Sequence, residues 1–126
     1  MIVKESSSGY AQTATRLVDG IAQRGLTLFA RIDHAAGARE AGLEMPPEEV
    51  FIFGSPAAGT PLMQRDPRVG YELPLRMLLW QAGERVMLGY RDPSELSGEY
   101  EISDQTATLG RMAGLLGKLA AEAAAS

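Results

Sequence analysis

Apolar positions recur at helical spacing in two stretches, one near the start of the chain and one at its end. The first stretch carries Tyr10, Ala14, Leu17, Val18 and Ile21. The second, about 105–124, carries Leu109, Met112, Ala113, Leu116, Leu119 and Ala120. Each set lies on one side of a helix. The spacing therefore predicts two long helices, each with one apolar face.

Helix boundaries are predicted from capping residues. Ser8 is suited to cap the first helix and Gly25 to end it, while Ser103 or Asp104 would cap the last. Three glycines interrupt the last helix, at 110, 114 and 117, and each costs about 1 kcal/mol relative to alanine. Either they allow close backbone packing against the sheet or a partner subunit, or the helix is weak.

Strand patterns lie between these helices and in front of the first. Residues 1–6 are predicted as a first strand, and 26–33 alternate as a half-buried strand in which only Phe29 is out of pattern. Residues 50–53 form a continuous apolar run, typical of a central strand that is covered on both faces. A β-hairpin is predicted from 75–80 and 85–90, with Gly83 at a turn position that needs positive φ.

The remaining segments are short or irregular. Residues 34–44 indicate a short helix or turn closed by Gly42, and 55–73, rich in proline and glycine, can hold a short helix at most. The order of elements predicts a single domain over 1–126. We expect a two-layer α+β fold, a mainly antiparallel sheet covered on one face by the two long helices.

Composition narrows the function classes. The chain has no cysteine, which excludes disulfides, thiolate metal sites and cysteine nucleophiles. Its N-terminus has no apolar leader pattern and no apolar run approaches the length of a membrane span, so we expect a cytoplasmic protein with no membrane partner. The net charge is −4 and the arginines are scattered, which argues against nucleic acid as a partner.

The bend after the apolar run is the first candidate site. Ser55 at a helix N-cap followed by Pro56 would start a short helix whose free N–H groups face an anion. Gly54, Gly59, Thr60 and Met63 belong to the same candidate ligand site. The alternative is a strand-to-helix turn that only needs these backbone angles.

His34, the only histidine, is the second candidate. It follows Asp33 at a strand end, with Glu40 and Glu44 nearby in sequence, and it is suited to be a general acid or base. A zinc site would need two of those carboxylates as ligands, so we predict no metal site. The alternative is a histidine that satisfies backbone groups at the strand end. No cofactor is expected.

Blocks of residues from Gly25 onward resemble one known family. They are Gly25-Leu26-Thr27, Ile32-Asp33-His34-Ala35-Ala36, Ala41-Gly42-Leu43-Glu44-Met45, Pro47, Phe53-Gly54, Pro56, Ala58-Gly59-Thr60-Pro61-Leu62-Met63, Leu73-Pro74-Leu75-Arg76, Tyr90 and Asp92-Pro93. Over about residues 10–93 the chain resembles the family of domain of unknown function 302. The resemblance implies a β-α-β(4)-α arrangement, similar to half of a TATA-box-binding protein. It implies no activity, and Ser55 stands where the family typically has asparagine.

Three hypotheses on function remain open at this point. The first is a ligand-binding or protein-interaction module, homo-oligomeric, whose site joins His34 to the bend and takes a small anionic ligand. The second is an enzyme acting on a small anionic metabolite, with His34 as general acid or base and the bend stabilising negative charge. The third is a purely structural homo-oligomer.

Overall fold

A computed structural model describes residues 1–126. The strands are β1 (Ile2–Glu5), β2 (Thr27–Asp33), β3 (Glu48–Gly54), β4 (Leu75–Ala82) and β5 (Arg85–Tyr90), and the helices are α1 (Tyr10–Gln23), α2 (His34–Glu40), α3 (Pro56–Arg65) and α4 (Thr106–Ala123). Two 3-10 helices, Pro67–Glu72 and Pro93–Gly98, complete the chain. The sheet order is β1-β5-β4-β3-β2, and every neighbouring pair is antiparallel. None of the helices combines the length and the apolar composition that a membrane span requires.

The main core lies between the sheet and the pair α1 and α4. Its fully buried side chains include Leu17, Ile21, Phe51, Phe53, Met77, Leu79, Leu88, Leu116 and Leu119. Gly20 lets the two helices approach closely, because a Cβ there would lie 3.1 Å from Leu119 Cδ2. The two-layer α+β fold, with two long helices on one face of an antiparallel sheet, is confirmed.

A second, smaller core holds the irregular middle of the chain against α4. It consists of Leu62, Val69, Leu96, Ile102, Leu109 and Met112. Asp66, which is buried, follows α3 and accepts hydrogen bonds from the backbone N–H groups of Arg68 and Glu101. This carboxylate therefore links the end of α3 to the segment that precedes α4.

Strand β2 contains a bulge that the alternating pattern did not predict. Leu28 pairs with Phe53 and Ala30 with Ile52, so two steps along β2 match one step along β3. The alternation changes phase there, because an extra residue turns the following side chains to the other face. Leu28 consequently faces the helices, whereas Ile32 lies on the uncovered face and is exposed.

The expectation that residues 50–53 are covered on both faces is wrong. Phe51 and Phe53 are fully buried beneath the helices. Val50 and Ile52 point to the other face and are only half-buried, because neighbouring side chains of the sheet, rather than a second layer, shield them. The sheet thus has one apolar face with no covering element, here called the open face.

Several local predictions also need correction. The N-cap of α1 is Gly9, since the Ser8 hydroxyl donates instead to Ala125 O, and the N-cap of α4 is Gln105. The helix after the bend is longer than expected, ten residues with Pro61 inside it. A Cβ at Gly110 or Gly114 would meet no atom within 4 Å apart from its own stretch of α4, so close packing against the sheet does not explain these glycines.

Candidate functional site

A cleft of about 430 Å³ lies between α3, the start of β2, the segment before β4 and the middle of α4. Its lining is largely apolar and includes Leu26, Phe29, Pro61, Met63, Leu73, Pro74, Leu75, Met112 and Leu115. These residues come from distant parts of the sequence, and both cores hold them in place: Leu26 and Leu115 pack against the main core, and Leu73 against the smaller one. The cleft is therefore built by the fold rather than by one loop.

Glycines make room for the cleft's side chains on the α3 side. A Cβ at Gly59 would lie 3.1 Å from Leu73 Cδ1, and one at Gly70 would lie 3.3 Å from Met63 Sδ. Both distances are tighter than most Cβ contacts. Glycine at these positions thus lets Leu73 and Met63 fold over the wall of the cleft.

Phe29 has an unusual position for a large apolar residue. It lies within the bulge of β2, lines the cleft, and keeps 51% of its surface exposed. A ring left this exposed beside a concave surface is an informative exception to the burial of apolar side chains. It provides contact area that the protein's own core does not use.

The polar side chains of the cleft come mainly from α4. Arg111 Nη2 donates to Thr108 Oγ1 at 3.2 Å, and both residues line the cleft. Thr108 is buried, with 7% of its surface exposed. No acidic residue lines the cleft, and Arg111 forms no salt bridge.

The structure places four of the six candidate site residues in this lining. They are Gly54, Ser55, Gly59 and Met63. Ser55 is the N-cap of α3, but its side chain makes no capping hydrogen bond. Thr60 is not part of the lining; it is exposed, and its hydroxyl donates to Pro56 O at 2.6 Å.

His34 does not belong to the cleft, and the expectation that it shares a site with the bend is wrong. Gly54 pairs with Thr27 at one end of β2, whereas His34 follows Asp33 at the other end. At about 3.3 Å per residue, this separates His34 from the bend by roughly 20 Å. The side chain of His34 is exposed at the start of α2, and no group of three metal-ligating side chains occurs in the chain.

A separate polar cluster lies beside the core, near the His34 end of β2. Buried Glu49 accepts two hydrogen bonds from Arg31, at 3.0 and 3.2 Å, and one from the Tyr10 hydroxyl at 3.1 Å. Arg31 also stacks over the Phe51 ring at 4.8 Å. Burial first, and the Glu49 charge second, raise the pKa of Tyr10. Every member of the cluster is thereby satisfied within the chain.

The sequence interpretation missed the contribution of α4 to the cleft. The helical pattern predicts only that Met112 lies on the apolar face of α4, and it gives no sign that Thr108, Arg111 and Leu115 line a cleft. Outside the bend, Phe29 is the sequence feature that could have indicated the cleft, because it breaks the alternation of β2. Nothing in the local pattern indicates that α4 packs beside the bend.

Both the sequence and the fold of this chain match known proteins. The family described as domain of unknown function DUF302 matches residues 2–119. The crystal structure of the uncharacterized conserved protein DUF302 from Bacillus stearothermophilus superposes with a TM-score of 0.87 over 97% of this chain and 96% of that chain, at 19% identity. That likeness shows the fold.

Curated relatives were found in Brucella. The fluoride-specific ion channel FluC 1 of Brucella suis is 40% identical over 103 residues, which are 81% of this chain and 41% of that protein. FluC 1 of Brucella abortus is also 40% identical, over 38% of its length. The chain thus spans about two fifths of the curated relatives that it matches. With most of its residues matched by the family pattern, the chain belongs to the DUF302 family.

Proposed function

We propose that this domain binds a small, largely apolar molecule in the cleft. The observation that carries the proposal is the cleft itself, about 430 Å³ with a mostly apolar lining. Ligand sites commonly have volumes of about 300–1,000 Å³ and a few polar groups among apolar walls. An engineered cavity of about 150 Å³ accepts benzene, so there is room here for a molecule of two rings.

A neutral two-ring probe, naphthalene-2-carboxamide, tests the proposal. We expect saturable binding by calorimetry, with the largest amide shifts in NMR spectra at cleft residues such as Gly54, Gly59 and Leu115. Ala58→Trp places a large ring at an exposed position of the lining and should abolish binding. Ala121→Trp adds the same ring on the exposed side of α4, outside the cleft, and should leave binding unchanged. Equal affinity of both variants would refute the cleft as the site.

The Brucella relatives suggest a different ligand, fluoride, because they are named fluoride-specific ion channels. The cleft argues against it, since a small hydrated anion needs several hydrogen-bond donors to replace its water and the lining is mostly apolar. We expect sodium fluoride to shift no amide resonance of the cleft. Saturable shifts there would favour fluoride over the apolar ligand.

We also propose that the domain forms a homodimer through its open face. An apolar row crosses all five strands of that face, made of Val3, Gly89, Leu78, Val50 and Ile32. At about 4.8 Å between strands and 3.3 Å per residue, the face projects roughly 500 Å². Two copies would bury about 1,000 Å², the lower end for a specific interface.

A second copy is favoured as the occupant by the charges on the open face. Arg76, opposite Ile52, and Glu48, opposite Trp80, lie toward opposite ends of β3 and β4, and neither forms a salt bridge in the chain. A two-fold axis between two such faces can bring each Arg76 onto the other copy's Glu48, since a two-fold interface is self-complementary.

Sedimentation equilibrium tests the dimer. Leu78→Glu should give a monomer, because it places a carboxylate in the middle of the apolar row. Arg76→Glu and Glu48→Arg should each weaken the dimer, and the double exchange should restore it. Tyr71→Glu, at an exposed position in a 3-10 helix, is the control. A monomeric wild-type protein at high concentration would refute the dimer, and a dimer that binds no probe would leave a purely structural role.

The arrangement that the enzymatic hypothesis required is absent from the structure. That hypothesis needed the His34 imidazole and the bend to face one substrate. They lie at opposite ends of β2.

A further inference from the structure

We infer that the ligand of the cleft is an apolar carboxylate whose charged group binds Arg111 and Thr108. The inference rests on the proposed function and goes further, since it names the chemical class of the ligand and the residues that select it. The anionic group would then bind side chains of α4, rather than the backbone N–H groups at the start of α3 that the sequence suggested.

Arg111 differs from the other arginines because it lines the cleft and has no acidic partner. Six of the ten arginines pair with carboxylates, namely Arg24, Arg31, Arg65, Arg68, Arg85 and Arg91. Arg16 bonds to Ser8 Oγ and to Ala125 O. Of the three that remain, Arg39, Arg76 and Arg111, only Arg111 lines the cleft.

Thr108 orients this guanidinium and supplies a second donor. Its Oγ1 accepts from Arg111 Nη2 and donates to no group of the chain. Thr13 and Thr60, which also lie in helices, each donate to the carbonyl one turn back, at 2.8 and 2.6 Å, whereas Thr15 and Thr106 are exposed to water. The Thr108 hydroxyl hydrogen therefore remains available beside the guanidinium, in a buried position.

These two donors favour a carboxylate. A guanidinium presents N–H groups in a planar fork that matches the two oxygens of a carboxylate, and a hydroxyl can donate to one of the same oxygens. No acidic side chain lines the cleft, so a cationic ligand would find no charged partner. The apolar lining is left for the remainder of the molecule.

The test compares two probes of the same shape, naphthalene-2-carboxylate and naphthalene-2-carboxamide, by calorimetry at neutral pH. We expect the carboxylate to bind roughly 10- to 100-fold more tightly, the effect of charge-assisted hydrogen bonds. Arg111→Gln should remove most of that preference, because it weakens binding of the carboxylate far more than binding of the amide. Thr108→Val should reduce it partly. Arg39→Gln, an arginine without an acidic partner outside the cleft, is the matched control.

The outcomes separate this inference from the proposed function. Equal affinity for the two probes, or a preference that survives Arg111→Gln, would overturn the inference and leave the apolar cleft intact. Failure of both probes to bind would overturn both. If Arg111→Gln or Thr108→Val lowers the unfolding temperature, the ratio of the two affinities within that variant still decides, because both probes are then measured on the same protein.

Discussion

The hydroxyl of Tyr10 donates a hydrogen bond to Glu49 Oε1 at 3.1 Å and thereby joins the first turn of α1 to the buried side of β3. Glu49 also accepts both hydrogen bonds of Arg31 from the edge strand β2. One buried carboxylate thus connects a helix and two strands. Because charges and polar groups are costly to bury without partners, this cluster makes the local packing sensitive to the loss of any member.

The first prediction concerns alkaline pH. The pKa of Tyr10 is raised above its ordinary value of about 10, chiefly by burial and next by the Glu49 charge. A raised pKa in the folded state means that the stabilisation is complete below pH 10 and is lost as the pH rises through the folded value. Tyr10→Phe should lower the free energy of unfolding by about 1 kcal/mol at pH 7. Above pH 10 the variant should lose less stability than the wild type, because it has no hydroxyl to ionise at this position.

Urea unfolding at several pH values measures this difference. Tyr71→Phe is the matched control, because Tyr71 is 86% exposed and its hydroxyl has no hydrogen-bond partner in the chain. Parallel loss of stability above pH 10 in wild type and Tyr10→Phe would show that the Tyr10–Glu49 bond does not govern the alkaline response.

The second prediction concerns the glycines of α4. Gly114 and Gly110 lie in the helix interior with open space where a Cβ would stand. Gly114→Ala should therefore raise the free energy of unfolding by about 1 kcal/mol, since alanine loses less backbone entropy on folding. Gly20→Val provides the contrast and should destabilise by about 1–3 kcal/mol, because its side chain would press on Leu119. A neutral or destabilising Gly114→Ala would indicate that another molecule packs on that face.

The third prediction concerns Asp66. Hydrogen bonds from the Arg68 side chain, and then from the backbone of Glu101, hold the pKa of Asp66 well below its ordinary value. Its stabilising effect is therefore present above about pH 4, the unfolded value, and is lost as the pH falls toward the folded one. Asp66→Asn should lower the unfolding temperature at pH 7 and reduce its dependence on pH below 4.

Asp104→Asn serves as the control for Asp66. Asp104 is exposed and pairs with Arg65 at 2.9 Å, so its loss should have little effect on the unfolding temperature. Similar unfolding temperatures for the two variants would mean that the bonds of Asp66 to Arg68 and Glu101 do not hold the smaller core together.

The layer architecture could be predicted because its determinants are local and periodic. The apolar faces of α1 and α4, and Gly25 and Gly83 at positive φ, follow from residues a few positions apart. The bulge in β2 could not be located in the same way. Phe29 shows that the alternation is interrupted, but only pairing with β3 shows that Ala30 and Ile32 change face.

Only one wall of the cleft could be predicted from the sequence, because only that wall is formed by a single local segment. The bend after β3 has its own composition, and Gly54, Ser55, Gly59 and Met63 do line the cleft. The wall formed by Arg111 and its neighbours depends on long-range packing of α4 beside α3. His34 and the bend each follow a strand, but antiparallel pairing of β2 with β3 places the ends of these two strands far apart.

The last prediction uses the only tryptophan as a reporter of the open face. Trp80 lies on that face, half-buried, and its ring would approach a Cβ at Gly89 to 3.0 Å. If a second copy covers the face, the indole loses water as the dimer forms, and its emission should shift to shorter wavelength with rising protein concentration.

Leu78→Glu should show emission that does not depend on concentration, because it stays monomeric. Arg76→Glu should shift the transition to higher concentration, and adding Glu48→Arg should move it back. A wild-type emission maximum that stays constant over the concentrations at which sedimentation reports a dimer would place the interface elsewhere, since Trp80 could not then be covered by the partner.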